Sequence, residues 1–203
     1  KLCNKSHNTL LHGYESKLMK VSNIHTANNA NISMCILPLR VLHPNSDKEI
    51  LTYALLDENS QGTFICNSLI DELVIETREA LIQTQTINGT YSSIARAAEG
   101  LIVKPSEEFG AKYGHQNIKL PTTYSRDELL FHIDEVPTKD KLKDFDYLEN
   151  VAANLPDFDS SLELGLIIGA NCPKALEPQE IVPALGDGPY ASRSHLGLSL
   201  IHI

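Results

Sequence analysis

YALLDENSQGTFI, residues 53–65, places an acidic side chain between two short apolar stretches. Ala-Leu-Leu leads directly into Asp57, and a polar segment then connects to a second apolar run that begins at Thr63. A carboxylate at the end of a hydrophobic strand loses solvation free energy unless other groups bind it. The stretch therefore predicts a strand, a turn and a second strand, with Asp57 either capping the turn or serving as its functional group.

The pattern around Asp57 is typical of the catalytic loop of an aspartic peptidase. In such enzymes two close aspartates share one proton, so that one acts as a base on water and the other as an acid. The chain has one good copy of the pattern, so a symmetric homodimer would supply the second. Asp159, followed by Ser160 and Ser161, is a weaker internal candidate because no apolar strand precedes it. The alternative is that Asp57 only hydrogen-bonds the turn.

A second stretch, LGLIIGANC, matches the other half of such a site. Its apolar run ends in Ile167, Ile168 and Gly169. In retropepsins a strand of this kind packs beside the catalytic loop, and its glycine permits close backbone approach. We therefore expect these three residues to pack against the Asp57 loop, with a short helix after them.

The remaining pattern predicts a mainly β protein. Residues 32–42 and 50–56 are apolar runs on either side of a polar turn, which predicts a β-hairpin. Asn88 and Gly89 suit a type I′ turn between two β-rich runs, and we expect this second hairpin to act as a flap. Residues 117–124 predict a further strand.

Two segments have helical spacing. NSLIDEL predicts a short helix with Asn67 as its N-cap, and residues 139–155 predict an amphipathic helix. The second helix lies in an acidic segment, Arg126–Glu163, with eleven Asp or Glu residues against four Lys or Arg residues. We expect residues 126–155 to form an acidic helical insertion on the surface.

Composition narrows the classes of partner. The net charge of −9 over 203 residues argues against nucleic acid as a partner, because phosphate binding needs clustered Lys and Arg. No apolar run reaches the roughly 20 residues needed to cross a bilayer, so no membrane partner is expected. Cys3, Cys35, Cys66 and Cys172 form no C-x-x-C pair, which predicts reduced thiols in an intracellular, cytoplasmic protein. We expect Cys66 and Cys172 to be small buried residues.

Together, four motifs resemble the aspartic peptidase region of BEL/Pao-type retrotransposon polyproteins: YALLDENSQGTFI, LPTTYSRDEL, LGLIIGANCPKALEPQEIVP and GDGPYASRSHLG. The resemblance covers Ser33 to Gly197, with the motifs in the family's order. It implies a retropepsin-like acid protease barrel over residues 31–197 and a homodimeric active site in which Asp57 is catalytic. The implied substrate is the element's own polyprotein, and no cofactor is implied for the peptidase.

The residues after Asp57 depart from the Asp-Thr/Ser-Gly triplet of active retropepsins. Glu58 adds a negative charge where two aspartates already repel, and Asn59 adds a side chain where space is needed. Ser60 would supply the missing hydroxyl only in a rearranged loop. Two interpretations therefore stay open: an active peptidase, or a catalytically inactive retropepsin-like module for folding or dimerisation of the polyprotein.

Near the N-terminus, Cys3, His7 and His12 have a spacing compatible with three of the four ligands of a zinc site. Residues 1–12 also resemble the end of the zinc knuckle that precedes the peptidase in these polyproteins. The fourth ligand would be a cysteine upstream of this sequence, so zinc binding is expected only where that ligand is present. Binding of single-stranded RNA through this incomplete knuckle is disfavoured by the net charge of −9.

The segments that flank the predicted domain carry little pattern. Residues 13–30 are polar without periodicity, and we expect them to be a linker. Residues 198–203 do not continue the family pattern after its Leu-Gly pair, and we treat them as a tail foreign to that pattern.

Overall fold

The computed structural model of the chain describes residues 34–86, 89–129 and 135–201. The strands in these ranges are β1 (Ile36–Leu42), β2 (Glu49–Asp57), β3 (Thr63–Cys66), β4 (Arg78–Thr86), β5 (Gly89–Ala98), β6 (Ile102–Pro105), β7 (Ile118–Lys119), β8 (Thr123–Arg126), β9 (Leu164–Gly169), β10 (Glu180–Val182), β11 (Tyr190–Arg193) and β12 (Leu198–Ile201). The α-helices in the same ranges are α1 (Asn67–Leu73), α2 (Glu107–Tyr113), α3 (Glu149–Ala152) and α4 (Pro173–Leu176). No helix within these ranges has the length and apolar character needed to span a membrane.

The nine-stranded sheet has the order β4-β5-β8-β3-β9-β2-β1-β6-β7, and β10, β11 and β12 form a separate antiparallel sheet. Within the large sheet, β2 with β9 and β3 with β8 are parallel pairs, and the other neighbours are antiparallel. The mainly β prediction is confirmed, but the closed barrel is wrong. Closure requires the two edge strands to pair along their length, and β7 has two residues whereas β4 has nine.

Both predicted hairpins are present as strand pairs. β1 and β2 pair with Ile36 opposite Leu55, which confirms the first hairpin. β4 and β5 pair with Thr86 opposite Gly89, so Gly89 is the first residue of a strand. Asn88, the other predicted flap residue, lies outside the described residues.

The predicted continuous helix over residues 139–155 is wrong. The segment forms two 3₁₀ turns, Lys139–Leu142 and Asp146–Leu148, followed by the single turn of α3. The apolar residues recur mostly at intervals of three, which suits the three residues per turn of a 3₁₀ helix. The pattern therefore identified the buried side of the segment but not its helix type.

Two other predicted elements differ in detail. Residues 117–124 divide into β7 and β8 because Pro121, which has no N–H to donate to a ladder, lies between them. α1 begins at Asn67, so the N-cap position belongs to Cys66. The Asn67 side chain instead donates a hydrogen bond to Asp127 at 2.8 Å. α4 confirms the short helix expected after the Ile-Ile-Gly strand.

The main core lies between α1 and the central strands of the large sheet, where Leu39, Ala54, Ile65, Ile70 and Leu166 are each 0% exposed. Cys66 and Cys172 belong to this core, as predicted. Cys35, Cys66 and Cys172 are free thiols.

A second core joins the acidic segment to the three-stranded sheet. Its buried members are Phe109, Leu142, Leu148, Val151, Leu155, Ala191, Leu198 and Leu200. The segment expected as a surface insertion therefore buries its apolar side against β11 and β12. Residues 198–201, expected as part of a tail, form β12, where Leu200 is 1% exposed.

A charge cluster ties β1, β2, β6 and α2 together at the surface. Arg40 donates hydrogen bonds to Glu49 at 2.9 Å and to Glu107 at 2.6 Å, and Lys104 pairs with the other oxygen of Glu49. The hydrogen bonds from Lys104 and from Arg40 lower the pKa of the Glu49 carboxyl.

This lowered pKa predicts an acid-sensitive contribution to stability. The Glu49 ion pairs stabilise the fold above the unfolded-state pKa of about 4.3, and the stabilisation is lost as pH falls through the lower folded-state pKa. We expect Glu49→Gln to reduce the free energy of unfolding by about 0.5 kcal/mol at neutral pH, with the difference disappearing in acid. Urea unfolding at neutral pH and in acid measures the difference, and Asp47→Asn, at an exposed residue, is the control. A cost that persists in acid would show that the contribution is not electrostatic.

Candidate active site at the Asp57 turn

The strand order explains how the Asp57 turn meets the Ile-Ile-Gly strand. β2 and β3 are consecutive in the chain, yet β9 lies between them in the sheet. β2 pairs with β9 in parallel, with Asp57 opposite Gly169, and β3 pairs with β9 on its other side. Residues 58–62 must therefore cross the carboxyl end of β9. This geometry brings together the predicted residues Ile167, Ile168 and Gly169 and the Asp57 loop.

Gly169 allows the crossing because its backbone nearly touches the loop. A Cβ atom at this position would lie 2.3 Å from the carbonyl oxygen of Gly62 and 2.5 Å from that of Ser60. The next residue, Ala170, donates its N–H to the Ser60 carbonyl at 2.8 Å. The glycine is thus required by the proximity of two backbone segments.

Local hydrogen bonds shape the turn itself. The N–H of Asn59 donates to Oδ1 of Asp57 at 2.9 Å, and the N–H of Ser60 donates to the Asp57 carbonyl at 3.2 Å. The Ser60 hydroxyl donates to the Gly62 carbonyl at 2.7 Å, so its proton is used within the turn. Asp57 is half-buried, whereas Glu58 and Asn59 are exposed. Oδ2 of Asp57 has no hydrogen-bond partner among the described residues.

The buried hydroxyl of Thr63, which the sequence pattern did not single out, stabilises the loop by hydrogen bonding. Thr63, which is 0% exposed, donates from Oγ1 to Oδ1 of Asn171 at 2.7 Å and accepts from the Gly169 N–H at 3.3 Å. These bonds join the start of β3 to the end of β9. The available signal was a threonine opening an apolar strand, but threonine is common in strands for steric reasons alone.

We expect Thr63→Val to lower the free energy of unfolding by about 2 kcal/mol, because it removes the acceptor of the buried Gly169 N–H and the hydrogen bond to the Asn171 side-chain amide. Thr63→Ser retains the hydroxyl and is expected to cost less. Urea unfolding of the two variants measures the difference. Equal losses would mean that the methyl group of Thr63, rather than its hydroxyl, carries the stabilisation.

A cleft of about 460 Å³ opens beside the turn. Asp57, Glu58 and Asn59 line part of the cleft, and β11 and β12 contribute Tyr190 and Ser199 to another wall. Local sequence patterns do not predict this wall, because its position depends on the three-stranded sheet packing next to β1. The loop residues thus face a concave surface of the size that ligand pockets have.

The Cys35 thiol and the Tyr190 phenol, which also line the cleft, are neutral at neutral pH. Burial raises the pKa of the Cys35 thiol to about 11, opposed by a hydrogen bond with Ser199 and reinforced by the charge of Glu58. Burial also raises the pKa of the Tyr190 phenol, with smaller contributions from Cys35 and Glu58. Because a thiol rather than a thiolate is present, Cys35 is a poor nucleophile. Chemistry in this cleft would therefore use the carboxylates.

Several predicted site residues do not come together with Asp57 in one protomer. β8, β3 and β9 separate β5 from β2, and no described residue that lines the cleft comes from the β4–β5 hairpin. Asp159 precedes the amino end of β9, whereas Asp57 aligns with the carboxyl end. Asp159 also accepts hydrogen bonds from its own neighbour, Ser161, at 2.6 and 2.9 Å. A dyad within one chain is therefore not formed from these two residues.

The predicted zinc ligands Cys3, His7 and His12 lie outside the described residues. In residues 34–86, 89–129 and 135–201, no group of three or more His, Cys, Asp or Glu side chains is arranged to hold a metal ion.

Comparisons with known proteins found no relative of the chain. No protein-family model matches it, and neither the curated proteins nor the solved structures include a match. The assignment of a function to the Asp57 turn therefore depends on the geometry and chemistry of its own residues.

Proposed function

We propose that the chain is the retropepsin-like aspartic endopeptidase domain of a retrotransposon polyprotein, with Asp57 from two protomers forming the catalytic dyad. The observation that carries the proposal is the position of Asp57. It ends β2 in register with Gly169, lies at the side of the cleft and has one carboxylate oxygen without a partner among the described residues. A general base needs such an oxygen within hydrogen-bond reach of the water it activates.

The dyad would act through a single shared proton. The ionised Asp57 accepts a proton from water as the water oxygen bonds to the peptide carbonyl carbon, and the protonated Asp57 of the second protomer donates to the carbonyl oxygen. The tetrahedral intermediate then collapses: the C–N bond breaks, the amine nitrogen receives the proton that the first Asp57 took from water, and a hydroxyl of the intermediate returns a proton to the other Asp57. The products are a carboxylic acid and an amine, so the reaction changes no oxidation state and consumes only water.

The exposure of the turn supports a dimeric site. Glu58 and Asn59 are exposed in the single chain and therefore accessible to a second copy. A twofold axis beside the turn would place the same residues of both protomers next to each other, as an isologous interface requires.

The flap role of the β4–β5 hairpin stays a prediction. The hairpin pairs with the rest of the sheet through Ala97 and Ala98, and Leu81 and Ile94, which pair across its strands, are each 73% exposed. An exposed apolar pair on a two-stranded ribbon is compatible with closure over a peptide.

One observation favours the second candidate, a catalytically inactive retropepsin-like module. The hydrogen bond from the Asn59 N–H to Asp57 gives this carboxylate a purely structural use in the turn. Glu58 also adds a charge that a dyad would have to accommodate.

Cleavage of a peptide library by the full chain separates the two candidates. The library, made from digested cellular protein, is incubated from about pH 4 to about pH 7 with and without pepstatin, and products are identified by mass spectrometry. We expect new internal cleavage sites, faster cleavage in acid, inhibition by pepstatin and a specific activity that falls on dilution as dimers dissociate. No cleavage by a protein shown to be folded and dimeric would support the inactive module.

A further inference from the structure

The charges that line the cleft all have the same sign. Among the described residues of its lining, Asp57 and Glu58 carry charge, and none is Lys, Arg or His. Because Cys35 and Tyr190 stay neutral, the two carboxylates are the charged side chains of the described lining. A concave site with fixed negative charge attracts cations.

Glu58 has no ion-pair partner among the residues that the structure describes. On the three-stranded sheet, Glu180 pairs with Arg193 at 3.0 Å, and these two residues line a different pocket from the cleft. Glu58 forms no ion pair with any of the described residues, although its charge acts on both Cys35 and Tyr190 across the cleft. Its carboxylate is therefore available to a ligand.

The neutral part of the cleft suits a long side chain with a polar end. Leu55, Leu176 and Ile201 provide apolar surface, and Tyr190 and Ser192 provide hydroxyl groups. Lys and Arg side chains bury their methylene stems against apolar surface while the charged group binds an acid. The lining thus matches this amphipathic shape better than a purely apolar or an acidic side chain.

We propose that this cleft is a subsite for a Lys or Arg side chain of the bound peptide, next to the bond that is cleaved, with Glu58 as its counter-ion. The inference rests on the proposed peptidase function and adds its substrate class. It also accounts for Glu58 at the position where a hydroxyl is expected. The substrate's cation neutralises a charge that otherwise opposes the close approach of two aspartates.

Binding of uncleavable peptides to the full chain tests the subsite separately from catalysis. Two peptides with a reduced scissile bond differ at one position, which carries lysine or norleucine, whose four-carbon stem lacks the ammonium group. This position is placed in turn on each side of the reduced bond. We expect the lysine peptide to bind about tenfold more tightly in fluorescence anisotropy, a difference that corresponds to about 1.4 kcal/mol. Salt should weaken the preference.

Two variants with the same change in charge identify the counter-ion. Glu58→Gln is expected to abolish the lysine preference, and Glu76→Gln, at an exposed residue away from the cleft, is expected to preserve it. Equal binding of the two peptides, binding of neither, or a preference that survives Glu58→Gln overturns the subsite. A preference retained by a protein that cleaves no peptide counts against the peptidase proposal alone. Cleavage without a preference counts against the subsite alone.

Discussion

Replacement of Asp57 by asparagine is expected to lower peptide cleavage by about 10³-fold and to leave the melting temperature nearly unchanged. The amide oxygen of asparagine still accepts the hydrogen bond that the Asn59 N–H now donates at 2.9 Å, so the turn keeps its structure. The amide cannot accept the proton of the attacking water or carry the shared proton of a dyad. Cleavage and thermal unfolding, measured on the same preparation, separate the catalytic role from the structural one.

A matched substitution at the internal candidate acid is the control. Asp159→Asn changes the charge equally at an exposed residue that lies at the other end of β9, and cleavage should not change. Unchanged cleavage by Asp57→Asn would show that Asp57 is not the catalyst.

Mixed dimers provide a stricter test of a shared site. If each protomer contributes one Asp57, a dimer of wild type with Asp57→Asn lacks half of its dyad. Equal amounts of the two chains, allowed to exchange, should therefore retain roughly a quarter of the activity of an all-wild-type sample. Retention of half would mean that each protomer acts alone.

Gly169→Ala is expected to have the largest effect on stability. The new Cβ would lie 2.3 Å and 2.5 Å from two backbone oxygens of the loop, which cannot rotate away as a side chain does. The loop or the end of β9 must shift, at a cost of about 3 kcal/mol and a fall in melting temperature of about 10 °C. Because Asp57 lies at the base of this loop, the remaining folded protein should also cleave more slowly.

Gly62→Ala is the control for this prediction because it makes the same change in the loop that Gly169 contacts. The Cβ there would meet the ring of Phe64 at 3.4 Å, an ordinary contact, so we expect a cost below about 1 kcal/mol. Chemical denaturation of both variants gives the comparison. Similar costs at the two positions would mean that the loop tolerates the crossing without a glycine at 169.

Local patterns predicted the elements of the site well. The apolar runs on either side of Asp57 form β2 and β3, and the run that ends in Gly169 forms β9. A strand that is buried in the core needs a run of apolar residues, so such strands can be recognised in the sequence. The prediction for 139–155 was less accurate because spacing identifies a buried side more reliably than it distinguishes an α-helix from successive 3₁₀ turns.

The sequence by itself therefore determined the strands, the acidic turn and the glycine that the turn requires. Only the tertiary structure decided that β9 lies between β2 and β3, that Thr63 joins Asn171, and that β12 forms a wall of the cleft. These features depend on contacts between residues far apart in the chain, such as Thr63 and Asn171, which are 108 positions apart. Hydrophobic periodicity records which side of a segment is buried, but it does not record which distant segment covers that side.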